Sequence, residues 1–118
     1  MSKKILWYSR HTMLEFQRPI LQKIFGKDMV LIQRTGTDVY MSAEKIVEMM
    51  RREKFDEIIM VAPFSVMAKV IELGVRPIKA DVIEVKDSHE ATFSYNGRHY
   101  KFLKFVRVMR LELVTEDL

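Results

Sequence analysis

The chain opens on an apolar run, Ile5-Leu6-Trp7-Tyr8, that breaks off into four polar residues, Ser9-Arg10-His11-Thr12. Short apolar runs rich in β-branched and aromatic side chains predict buried strands, because such side chains fit a pleated surface. Thr12-Met13-Leu14-Glu15 has the spacing of a capping box and predicts a helix over residues 12–26, with Phe16, Ile20, Ile24 and Phe25 as its apolar stripe. Pro19 either kinks that helix or opens its regular part as a first-turn residue. Residues 29–33 predict a second strand, which ends in the turn-rich segment 34–38. Ser42 is placed to cap a second helix over residues 43–54 that buries Ile46, Val47 and Met50. Residues 58–62 are five apolar positions without alternation, the pattern of a strand covered on both faces, and hence the most buried strand. Pro63 ends it, Ser65 caps a third helix over residues 66–73, and Gly74 stops that helix. Ile78–Val85 reads as a fourth strand whose Lys79, Asp81 and Glu84 point outward.

Beyond residue 86 the pattern changes. The segment from Thr92 to Phe102 alternates about Asn96-Gly97, the strongest short-range hairpin signal. A two-residue loop pairs Tyr95 with Arg98 and Phe93 with Tyr100. Phe93, Tyr95, Tyr100 and Phe102 then share one face, and Ser94, His99 and Lys101 the other. Residues 105–114 alternate as one more antiparallel strand. The expected fold class is therefore α/β: one domain over 1–118, a small Rossmann-like three-layer sandwich. It comprises a parallel β-α-β-α-β-α-β core over 1–86 and an antiparallel hairpin and strand over 87–118. Short right-handed connections put the first and third strands at the centre. Their carboxyl ends, at Ser9 to Thr12 and Pro63 to Ser65, flank one crevice, with Thr35, Gly36 and Thr37 alongside.

Composition narrows the chemistry. Lysine and arginine exceed aspartate and glutamate by 20 − 16 = 4, and the pI is near 9.4. That excess suits a phosphate-bearing partner, but the charges are scattered and form no DNA-binding stripe. Cysteine is absent, which excludes disulfides, thiolate metal sites and cysteine nucleophiles. The chain has one Asn and three Gln among many charged residues, the composition of a thermophile, and no apolar stretch long enough for a membrane span. A cytoplasmic location is expected. The four glycines are too dispersed for a glycine-rich phosphate loop. No His, Asp and Glu cluster has metal-ligand spacing, so no metal or cofactor is expected.

What remains is the polar turn after the first strand. Backbone N–H groups and a helix start converge at such a turn. Arg10 can clamp a phosphate bidentately, and the imidazole of His11 can act as general acid or base near neutral pH. The competing reading is that Ser9 and Thr12 only cap the helix while Arg10 faces water. Ser65 is read first as a cap, and Thr35-Gly36-Thr37 as a turn that could also cradle an anion. The four-ring hairpin face fits a core or a subunit interface, and could also stack bases.

A small Rossmann-like chain with Ser9-Arg10-His11 after its first strand and an apolar third strand ending at Pro63 resembles the compact CARF-like ring nucleases of CRISPR systems. The resemblance covers residues 5–65 and leaves out the aromatic hairpin. It implies a homodimer that binds a cyclic oligoadenylate across its two-fold axis, in a family of which some members cut it without a metal. By that resemblance Arg10 clamps a phosphate, Ser9 or Thr12 adds hydroxyl or N–H contacts, and His11 protonates the leaving 5′-oxygen. Two other classes stand beside it: a nucleotide- or nucleic-acid-binding module without catalysis, and a dimeric structural protein. Turnover of a cyclic oligoadenylate separates the first from the others.

Overall fold

A computed structural model describes residues 2–35, 42–112 and 114–118. The elements run β1 (Lys4–Tyr8), α1 (Gln17–Phe25), β2 (Val30–Arg34), α2 (Ala43–Arg52), β3 (Glu57–Met60), α3 (Phe64–Glu72), β4 (Ile78–Val85), β5 (Phe93–Tyr95) and β6 (Arg98–Arg107). The fold is mixed α/β, with one six-stranded sheet in the order β2-β1-β3-β4-β6-β5. β1 pairs in parallel with β2 and β3, and β3 meets β4 in parallel at Ile59 and Ile78. β4–β6 and β6–β5 are antiparallel. No helix among the described residues is long and apolar enough to cross a membrane.

The unbroken apolar runs follow from a sheet covered on both sides. Leu6, Tyr8, Ile58 and Met60 face Ile46, Val47 and Met50 of α2 and Met67 and Val70 of α3. Ile5, Trp7, Ile59 and Ile78 face the other way, onto Met13 and Leu21. Ile5, Leu6 and Ile58 are wholly buried, and each such side chain contributes about 1.5–3 kcal/mol by leaving water.

Four element ends differ from the sequence pattern. The first helix starts at Gln17 rather than Thr12, and Thr12 caps nothing. Proline has no N–H to give the carbonyl four residues back, and its ring crowds that carbonyl. Pro19 is tolerated only in a first turn, which fixes the start near Gln17. The Gln17 side chain instead ties down the preceding loop by accepting the Leu14 N–H at 2.9 Å. β3 ends at Met60, and Val61 is 64% exposed. α3 starts at Phe64 with Pro63 in the cap position, and the Pro63 carbonyl accepts from Val66 and Met67. Ser65 is therefore an exposed first-turn residue and not the cap. Finally, among the described residues no separate strand follows Phe105. β6 runs unbroken to Arg107, where its partner β4 begins at Ile78, and residues 108–112 leave the sheet. Val108 and Leu111 there pack against the α2–α3 core.

The hairpin has the expected register, with Phe93 opposite Tyr100, Ser94 opposite His99 and Tyr95 opposite Arg98. Asn96 and Gly97 have φ of 51° and 74°, the left-handed pair that a tight two-residue turn demands. A register shift between Asp81 and Val82 leaves Leu103 opposite neither. Phe102 and Phe105 consequently lie on the same side, with ring centroids 5.1 Å apart.

Candidate functional site

The loop after β1 is pinned from both sides. The Ser9 N–H donates to the Arg34 carbonyl of β2 at 3.3 Å, and the buried Ser9 hydroxyl accepts the His11 N–H at 3.1 Å. The indole N–H of Trp7 reaches forward to the His11 carbonyl at 2.9 Å. The Met13 N–H donates to the Gln33 side chain at 3.3 Å. These bonds hold the backbone in one shape while the Arg10, His11 and Thr12 side chains stay exposed. Ser9 thus shapes the loop through its hydroxyl, and neither it nor Thr12 is a helix cap.

The fixed loop stands as a ridge between two clefts. One, of about 600 Å³, lies on the α2–α3 side and is lined by Tyr8, Ser42, Ile46, Ala62, Pro63 and Val66 as well as the ridge. It is the crevice expected between the ends of the first and third strands. The other, of about 790 Å³, lies on the hairpin side and is lined by Trp7, Thr12, Val82, Phe93, Tyr95 and Tyr100 among others. Ser9, Arg10, His11 and Val61 line both. The His11 ring meets Tyr95 edge-to-face at 5.0 Å between centroids, and Phe93 stacks on Tyr100 at 5.3 Å. Neither family, nor curated protein, nor solved structure matches this chain.

Of the residues singled out by sequence, Ser9, Arg10, His11 and Pro63 share the first cleft, and Ser9, Arg10, His11 and Thr12 the second. Ser65 lines neither. Thr35 is half-buried beyond the end of β2 and also lines neither, while Gly36 and Thr37 lie outside the described residues. No group of three or more His, Asp or Glu side chains among the described residues could hold a metal ion. The hairpin rings divide in use. Phe102 is 8% exposed and packs against Phe16 and Phe105, whereas Tyr95 is 53% exposed at the cleft. Sequence reasoning missed Tyr95 and Trp7 as site residues. Alternation gave Tyr95 its face, but only the sheet order brings the hairpin tip back over the first loop.

A third cleft, of about 370 Å³, opens at the opposite edge and is lined by Arg51, Asp56, Glu57, Arg76 and Arg107, with apolar residues beneath. Two of its arginines are engaged in structure. Arg107 binds the Glu57 carboxylate at 2.7 Å and the Arg76 carbonyl at 3.0 Å, and Arg51 donates to the Leu73 carbonyl at 3.2 Å.

Proposed function

We propose that this chain binds a nucleotide ligand of the cyclic oligoadenylate class at the carboxyl edge of a Rossmann-like sheet, and cleaves it without a metal. The observation that supports this most is the pinned ridge, which sets the Arg10 guanidinium and the His11 imidazole beside an aromatic-lined cleft. A guanidinium recognises phosphate, and exposed rings stack bases. A fixed backbone presents both groups without a backbone-ordering cost at binding. In the proposed reaction the ribose 2′-oxygen attacks phosphorus in line, and the bond from phosphorus to the 5′-oxygen breaks. His11 gives its proton to that 5′-oxygen, while the 2′-hydroxyl proton passes to water and a 2′,3′-cyclic phosphate remains. Arg10 stabilises the charge gathered on the phosphoryl oxygens. The CARF-like kinship, the homodimer that presents two such sites and a cytoplasmic location belong to the same proposal.

The contact between His11 and Tyr95 favours one second reading, a sensor that binds and does not cut, because a ring held against another ring also serves stacking. Titration of cyclic tetra-adenylate with product analysis decides between them. Arg10→Ala should weaken binding by about 1.5–3 kcal/mol, the scale of a charge-assisted bond. His11→Ala should spare binding and slow cleavage by about 10²–10⁴-fold. Binding without products makes the chain a sensor. Absence of binding by the parent removes both readings.

A further inference from the structure

The two clefts that share the ridge have one charge pattern between them. Among the described residues no aspartate, glutamate or lysine lines either, and Arg10 is the arginine that both share. With His11 it stands at the junction, so the guanidinium and the imidazole sit in the middle and apolar walls extend to each side. On the hairpin side those walls are the rings of Phe93, Tyr95 and Tyr100. On the α2–α3 side they are Tyr8, Ile46 and Val66. Both volumes fall in the range of about 300–1,000 Å³ usual for small-molecule sites. A single nucleotide places its anion at one end of an apolar body and would leave one cleft empty. An anion flanked by two planar bodies matches the whole surface.

Resting on the nucleotide reading above, we propose that the ridge separates two nucleoside subsites, and that the unit recognised is a phosphodiester-linked pair of nucleosides. The linking phosphate lies on Arg10 and His11, one base lies against Tyr95, and the other lies in the α2–α3 cleft. A ring and a single strand both present this unit.

Fluorescence of Trp7, the chain's one tryptophan and part of the hairpin-side cleft, reports occupancy. The probes are 2′-O-methylated diadenylate, which cannot undergo in-line attack, and the methyl ester of adenosine 5′-monophosphate, which carries the same single charge on one nucleoside. Diadenylate should bind at least about tenfold tighter, since the second nucleoside binds intramolecularly. Tyr95→Ala removes an exposed ring and should cost diadenylate about fivefold or more with the melting temperature unchanged. Val66→Trp, which fills the other cleft, should bring diadenylate down to the mononucleotide ester's affinity. Cyclic tetra-adenylate and linear hexa-adenylate then separate the ring from the strand as the source, and tight binding of either one supports the paired subsites. Equal affinity for diadenylate and the ester overturns them while leaving the nucleotide reading intact. If no adenylate binds, both fall.

Discussion

Two neighbouring side chains, Ile59 and Val61, show how residue-level reading succeeds and fails. Both belong to the same apolar run and look alike in the sequence. Ile59 is 2% exposed against α1's side of the sheet, whereas Val61 is 64% exposed past the end of β3. A charge is therefore expected to abolish folding at Ile59 and not at Val61. Ile59→Asp buries a carboxylate without a partner, at a cost comparable with the whole stability of about 5–15 kcal/mol. It should leave no folded soluble protein in a thermal melt. Val61→Asp should melt within a few degrees of the parent, and a collapse there would mean that β3 extends further than Met60. At the ridge, the place of Arg10 and His11 just past β1 was legible because an abrupt change from apolar to polar marks a strand's end. The role of the Ser9 hydroxyl was not legible, since nothing in the residue type distinguishes a helix cap from a brace on a neighbouring N–H.

Elements were legible where local chemistry decides them. Asn96-Gly97 fixed the hairpin register because that pair readily takes the two left-handed conformations of a type I′ turn. Ser42 does cap α2, where its hydroxyl accepts the Lys45 N–H at 3.3 Å. Ser42→Ala should cost about 1 kcal/mol and lower the melting temperature by about 3–6 °C. An unchanged melt would show that packing of Ile46, Val47 and Met50 alone sets the start of α2. Gly97→Val forces a β-branched residue to a φ of 74° and should cost about 1–3 kcal/mol. If the hairpin is the base platform, that substitution also weakens nucleotide binding, whereas Ser42→Ala mainly lowers stability. Boundaries went astray where two local signals competed. The capping-box spacing at Thr12 lost to the geometry of Pro19, and the alternation after Phe105 lost to the end of β4, which leaves no strand to pair with.

At the scale of the molecule, the sheet order makes the site. β6 and β5 extend the sheet past β4, away from β1, yet the hairpin tip curls back so that Tyr95 touches His11. No local pattern encodes that contact, because it joins residues 84 positions apart with three strands between β1 and β5 in the sheet. The same long reach gives the chain a second cleft where the sequence suggests only one. In the proposed function the Arg10–His11 ridge, and not the arginine-lined cleft at the opposite edge, receives a nucleotide. Amide NMR during a titration with cyclic tetra-adenylate tests it most directly. Shifts should concentrate on Ser9 to Thr12, on Val61 and Ala62 and on Tyr95, and Arg10→Ala should remove them at the same ligand concentration. Shifts gathered instead at Arg51, Arg76 and Arg107, or none at all at saturating ligand, would contradict the account.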